Sequence, residues 1–319
     1  MQFRSILSGA FIAAAFALTG CGGGTPSSAP GSVAASALVR PQIPLPGAGS
    51  AGRLIYVTDS GTDTLYFYTY RRGKLKGSTS EGLSEPQGLC SEQNGNVFVA
   101  NTGESDVFEY AHGTITPKQT LATPGEYPVG CAVDEKGDVA VSDIISTSDG
   151  NGNVEIFKGG TGSPISVTCP NLAKYYFLAY DKKGDLFVNG FATLSDGGAG
   201  LCEIPSGSTS GEAIALSSTL EFPGEVQWDG KYLVIADQDK ATIGRFQIRG
   251  LRATLKGTVA FNGSTGVWFF LVSRDLALAF VSQGIGFFKY PAGGNAFKTL
   301  QLGSLSEAIG FAVSPTSVL

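Results

Sequence analysis

Histidine is almost missing from this chain: His112 stands alone among 319 residues, and methionine does not recur after Met1. One imidazole excludes His-rich zinc sites and any triad that needs a second histidine, and a single Met excludes thioether-lined copper. Charge is also thin, with 22 Lys+Arg against 27 Asp+Glu, 15% of residues and a net −5. Without a basic excess there is no electrostatic footprint for DNA or RNA, so nucleic acid is not expected as a partner. Long apolar runs are lacking too. The longest, Ile6 to Leu18, has 13 residues, short of the roughly 20 that a membrane-spanning helix needs. What remains is plentiful: 45 Gly, 20 Phe, 11 Tyr and 42% apolar residues, enough to bury a large core and inclined toward β structure.

The first 20 residues read as a removable leader. Arg4 supplies the positive start, Ile6–Leu18 the apolar stretch, and Leu18-Thr19-Gly20-Cys21 the close. That ending resembles a bacterial lipobox, which implies acylation of Cys21, anchorage in a lipid bilayer and a cell-envelope address, the outer membrane being favoured by Gly22 after the Cys. Residues 21–52 then run through Gly, Ser, Pro and Ala with almost no charge and no aromatic. Such a composition buries no face and predicts a flexible tether, with a short edge strand conceivable at Leu38–Leu45.

From residue 53 the chain repeats. LIYVTD (54–59), NVFVAN (96–101), DVAVSD (138–143), LFVNG (186–190), LVIAD (233–237) and LAFVS (278–282) recur at spacings of 42 to 47 residues. An apolar run precedes most copies, as in PQGLCSEQNG (86–95) and PVGCAVDEKG (128–137). A third alternating run follows each, and weaker fourth strands such as ISVTC (165–169) close the units. Four short strands per 40-odd residues is the pattern of a β-propeller blade. The expected fold is therefore an all-β, six-bladed propeller over 53–319. Its first blade lacks an inner strand, and EAIGFAVSPTSV (307–318) supplies one, clasping the ring and removing an open sheet edge. One closed ring is expected to be monomeric.

The phrase P-x-G-apolar-x-x-acidic-x-x-G followed by a strand ending in Asp or Asn, at 86–101 and 128–143 and degraded at 223–237, resembles the NHL-repeat and SMP-30/gluconolactonase-like propellers. The Asn-Asn-Arg that usually follows the NHL Asp is replaced by GTDT, GESD and QDKA, so the positive face of RNA-binding relatives is not implied. Two sets of residues are expected on one face of the ring. Asp59, Asn101, Asp143, Gly190, Asp237 and Ser282 end the second strands. Glu85, Glu126, Tyr175, Glu225 and Glu307 open the inner ones. Resemblance to SMP-30 implies a divalent ion, Ca²⁺ by its taste for oxygen ligands, held among Asp59, Asn101, Asp143, Asp237 and Glu307 and serving lactone or ester hydrolysis. The plainer expectation is that Asp and Asn at strand ends build turns.

Two loops exceed their counterparts, DIISTSDGNGN (143–153) and GFATLSDGGAG (190–200), and belong to neighbouring blades. Third-strand aromatics such as Tyr66, Phe108, Phe157 and Phe287 are expected to pack between blades. Trp228 and Trp268 are placed on inner strands, and His112 in a surface turn on the opposite face. After Cys21 four cysteines remain. Repeat alignment allows Cys90–Cys131 and Cys169–Cys202 as disulfides, with buried free thiols as the alternative. With no usable triad, the expectation is a membrane-anchored binding scaffold for a protein, peptide or glycan, the metal-dependent hydrolase being the second reading.

Overall fold

The computed structural model describes residues 52–315 apart from positions 196, 266, 274 and 304. The leader, Cys21, the linker and the edge strand considered at 38–45 lie outside the described residues. Strands β1 (Leu54–Asp59), β2 (Thr64–Thr69) and β3 (Leu75–Thr79) form an antiparallel meander. A second is built from β4 (Pro86–Ser91), β5 (Val97–Asn101), β6 (Asp106–Tyr110) and β7 (Pro117–Ala122), and a third from β8 (Glu126–Val133), β9 (Val139–Ser146), β10 (Asn153–Phe157) and β11 (Ile165–Val167). Next come β12 (Lys174–Tyr180), β13 (Leu186–Phe191), β14 (Ala199–Ile204) and β15 (Glu212–Leu216), then β16 (Pro223–Trp228), β17 (Leu233–Asp237), β18 (Thr242–Ile248) and β19 (Arg252–Asn262). The last group is β20 (Phe270–Ser273), β21 (Leu276–Val281), β22 (Gly284–Lys289) and β23 (Gly293–Gln301). Finally β24 (Ala308–Ser314) returns to pair antiparallel with β1, Leu54 facing Ser314 and Val57 facing Phe311. Among the described residues the only helical pieces are two single 3₁₀ turns. The fold is all-β and β-propeller-like.

Burial grades across each sheet and explains its sequence. Second strands such as β1, β5, β13 and β17 are buried at every position, which is why they read as unbroken apolar runs. Fourth strands such as β3 and β7 are largely exposed and accordingly polar, with weak patterning. Apolar clusters lie between neighbouring sheets: Tyr56 and Phe67 of the first pack with Val97, Val99, Phe108 and Tyr110 of the second. Of the third-strand aromatics, Phe157, Phe246 and Phe288 are fully buried there, whereas Tyr66 is only half-buried.

Polar side chains stitch the sheets as well. Thr58 Oγ1 donates to the Gln87 carbonyl at 2.5 Å, Ser142 Oγ to Tyr176 O at 2.6 Å, and Asn189 Nδ2 to Gly224 O at 2.7 Å. Each bond runs from a second strand to the next inner strand. The approach is close enough to demand glycine: a Cβ on Gly130 would sit 2.7 Å from Tyr176 O, and one on Gly310 2.6 Å from Gln87 O. Cys90 and Cys131 are bonded between β4 and β8, and Cys169 and Cys202 between the end of the third sheet and β14.

Candidate functional site

Three of the strand-end residues share one job. Asp59 is buried, and its carboxylate accepts the backbone N–H groups of Gly61 (3.1 Å), Ser306 (2.7 Å) and Glu307 (2.8 Å). Asn101 accepts from Ser84 N at 2.7 Å and donates to Gly82 O and to Asp106 Oδ1. Asp237 accepts from Glu221 N and Phe222 N and is paired with Lys240 at 2.9 Å. All three hold the loop that leads into the inner strand of their own sheet, which is turn-building work. Gly190 is buried in β13, and a Cβ there would strike Lys174 O. Glu307 is half-buried, its backbone bonded to Asp59 and Ser60.

Asp143 breaks the pattern. It is fully buried, yet neither carboxyl oxygen has a hydrogen-bond partner. The cause is local. The loop that should cap it is Thr123-Pro124-Gly125-Glu126, where Pro124 has no N–H, Thr123 N is taken by Ser105 O and Glu126 N by Thr123 O. Instead of amides, Asp143 meets acceptors. Asn153 lies directly opposite it in the ladder, and Glu155, two residues on, shares its face with Val141. Glu126 Oε2, Asn153 Oδ1 and Glu155 Oε2 are likewise buried and unpartnered.

Several buried oxygens left without a donor raise the affinity of the group for protons. Burial, then the nearby Glu155 and Glu126, pushes Asp143 well above the usual carboxylate range. Burial, with Glu126 adding to it, moves Glu155 up to about 7. Glu126 rises by burial too, in part offset by hydrogen bonds from Ser146 and Asn153. The folded state therefore binds these protons more tightly than the unfolded chain. Their stabilisation is complete below the ordinary carboxylate range and is lost as pH climbs above it, for Glu155 through about 7. The melting temperature is expected to fall by several degrees between pH 5 and pH 8, and Glu155→Gln or Asp143→Asn to flatten that slope while raising Tm at pH 8. A profile that rises over this interval, or a slope unchanged in both variants, would show the cluster to be ionised.

The two long loops flank this cluster. β9 runs to Ser146, Gly152 N bonds Ala173 O at 2.8 Å, and Leu194 Cδ1 lies 3.6 Å from where a Cβ on Gly150 would sit. The stretches 144–152 and 192–198 are thus neighbours, as their spacing implied, and Leu194 is 46% exposed. Glu126 and Asn153 are half-buried and form the open side; Asp143 and Glu155 lie beneath.

A second feature is a cavity of about 510 Å³ lined by residues from β4, β8, β12, β16, β20 and β24, including Leu89, Cys131, Tyr180, Gln227 and Trp228. Phe177 and Phe269 meet edge to face at 5.0 Å. Glu225, also lining the cavity, bonds through its N–H to Trp268 O, and burial raises its carboxyl. Trp268 sits just before β20 instead of within a strand. His112 corrects another expectation. It is buried, with Nδ1 2.8 Å from Ser314 Oγ and Nε2 3.0 Å from Gly52 O, because the start and end of the chain's described part close over its turn.

Sequence reasoning named Asp143 and Glu126 but passed over Asn153 and Glu155. The signal existed. At the inward third-strand position of Glu155 the other sheets carry Tyr66, Phe108, Cys202, Gly244 and Gly286, so one carboxylate among apolar and small residues was out of character. As a divalent-ion site the strand-end set does not fit. Asp59, Asn101 and Asp237 already accept loop amides, and among the described residues no three His, Cys, Asp or Glu side chains are placed to share one ion.

No family model matches the chain, and no curated protein resembles it, so the likeness to NHL and SMP-30 propellers stands on the sequence phrase alone. Solved structures do resemble it. A protein of unknown function from Bacteroides caccae superposes with a TM-score of 0.61 at 12% identity, over 83% of this chain and 100% of that one. A structure of a nidogen/laminin complex gives 0.60 at 12% identity, over 82% and 98%. A functionally unknown protein from Desulfotomaculum acetoxidans gives 0.54 at 12%, over 82% and 84%. At such identities the likeness concerns the fold alone, a β-propeller-like all-β architecture.

Proposed function

We propose that the chain is a cell-envelope lipoprotein, tethered through acylated Cys21, whose six-bladed propeller is a binding scaffold for a protein, peptide or glycan. Ring closure by β24 is supported by its pairing with β1 and by one cavity receiving residues from six innermost strands. The observation that carries the binding reading is the acceptor-rich cluster of Glu126, Asp143, Asn153 and Glu155 beside the paired long loops. Unpartnered buried acceptors cost free energy unless a donor arrives, so the favoured ligand presents amino or other donor groups.

The test uses calorimetry of the chain from residue 21 with oligolysine and glucosamine oligomers, each beside its N-acetylated counterpart. Binding is expected for the free amines, weakened at least about tenfold by acetylation or by Glu126→Gln, since a charge-assisted hydrogen bond contributes roughly 1.5–3 kcal/mol. Equal or absent binding of both forms would refute this ligand class. The second reading, a metal-dependent lactone or ester hydrolase, requires Asp59, Asn101 and Asp237 to release the loops they hold. Turnover of a lactone panel by the purified chain would reinstate it.

A further inference from the structure

The segment Tyr70-Arg71-Arg72-Gly73-Lys74-Leu75-Lys76 joins β2 to β3 and opens β3, and four of its seven residues are cationic. Arg71, Arg72, Lys74, Leu75 and Lys76 are all exposed, Leu75 at 49%. Two further cations join them. Arg53 lies over the Tyr70 ring at 4.6 Å, and Tyr70 N bonds Arg53 O at 3.0 Å. From the neighbouring sheet Lys298 donates to Arg71 O at 2.7 Å and sits over Phe287, whose ring also meets Tyr70 at 5.5 Å. Beside Lys298, Phe297 is the most exposed large apolar residue described, at 59%. The acidic side chains of β1 and the β1–β2 turn are engaged elsewhere: Asp59 accepts the amides of residues 306 and 307, and Asp63 accepts Glu85 N.

Charge is therefore segregated. Six of the 22 Lys and Arg gather here, leaving 16 against 27 acids, so the rest of the chain carries −11. The location matters as much as the sign. Gly52, where the segment leading from Cys21 enters the fold, lines the same surface cavity of about 500 Å³ as Arg53, Tyr70, Arg71 and Arg72. Its carbonyl is held by His112, so this end of the chain is fastened beside the cations.

We propose that this patch docks the propeller onto a bilayer containing anionic phospholipid, Arg53, Arg71, Arg72, Lys74, Lys76 and Lys298 facing headgroup phosphates and Leu75 and Phe297 reaching the interface. Clusters of four to eight Lys and Arg next to a membrane attachment point are the usual signature of such contact, and apolar residues among them add interfacial burial. A bilayer is favoured over a soluble polyanion because the patch surrounds the end of the chain that leads to Cys21. Docking there turns the cluster around Asp143 into a question of presentation: the −11 remainder is repelled by the same surface and held away from it.

The proposal rests on acylation of Cys21 only for bringing the patch to a membrane, and the test separates the two. The chain from residue 21 with Cys21→Ser is floated with vesicles of phosphatidylcholine alone and with vesicles carrying about 30 mol % phosphatidylglycerol. Expected is at least about tenfold more bound protein on the anionic vesicles, lost when salt is raised to about 1 M. The variant Arg71→Gln, Arg72→Gln, Lys74→Gln, Lys76→Gln should lose that excess at unchanged Tm, its positions being exposed. Equal binding to both vesicles, or an excess that survives in the variant, would overturn the docking surface. Mass spectrometry of the membrane-extracted wild-type chain tests acylation independently.

Discussion

A chain ended at Ser306 is expected to lose its cooperative thermal transition altogether. The missing segment holds β24, which among the described residues is the only strand besides β2 that pairs with β1. Ile309, Phe311 and Val313 are buried to 3% exposure or less, and at roughly 1.5–3 kcal/mol for each large apolar side chain they account for about 5–9 kcal/mol. That equals the whole net stability of many domains. Further losses add to it: Asp59 forfeits the Glu307 N–H, Thr58 forfeits the Gly310 N–H, and Phe280 loses its edge-to-face contact with Phe311. The freed edge of β1 is buried and apolar, a template for aggregation. Removal of residues 22–45 touches none of these contacts and is expected to leave Tm within about 1 °C. Circular dichroism melts of both deletions decide the matter, and a truncation at 306 that melts like the full chain would mean the fold does not depend on this strand.

Much of this architecture was legible because it repeats. A 42-to-47-residue period in strands buried on both faces survives even where individual residues drift, and the complementary first and last pieces announced the pairing of β24 with β1. The site was less legible for a physical reason. Asp59, Asn101, Asp143 and Asp237 look alike in sequence because all end a second strand, and what divides them is which backbone amides the preceding loop turns toward them. Pro124 removes one donor, and Thr123 N and Glu126 N point elsewhere. That choice belongs to loop conformation, which residue type only loosely constrains. Glu155 escaped notice for another reason: that the other sheets carry apolar or small residues at its position shows only when the third strands are set in register, with Glu155 opposite Val141. The stitches from Thr58, Ser142 and Asn189 were hidden likewise, since a small polar residue in an apolar run does not reveal which neighbouring carbonyl it will reach.

The cation patch and the acceptor cluster are consistent with one arrangement. Asp143 lies at the strand end next to the long 144–152 loop, while the Tyr70–Lys76 segment lies at the other end of its own sheet's strands, where β2 turns into β3. Under the two proposals, a bilayer would lie under one end and a donor-bearing ligand at the other. Variants at the two places are expected to be additive, for they share no partner.

Serine in place of both Cys169 and Cys202 is expected to lower Tm by about 10 °C. Both cysteines are buried, at 4% and 0% exposure, within the apolar cluster of Val154, Leu178 and Val188. The bridge spans 33 residues of sequence, for which the loss of closure entropy amounts to roughly 3–4 kcal/mol, and two hydroxyls placed in that cluster add a desolvation cost. For a domain of this size each kcal/mol moves Tm by about 2–4 °C. The bridge between Cys90 and Cys131 should matter less to packing, since Cys90 is only half-buried, although its 41-residue span is similar. These bonds also bear on the compartment, because such bridges persist where the surroundings are oxidising. Protein made without residues 1–20 in a reducing cytosol, where both bridges stay open, is expected to melt no higher than the serine variant, and the exported chain to show no thiol reactive toward Ellman's reagent when unfolded without reductant. Four reactive thiols in the exported chain, with Tm indifferent to the substitutions, would place it in a reducing compartment and remove the support that the bridges lend to an envelope address.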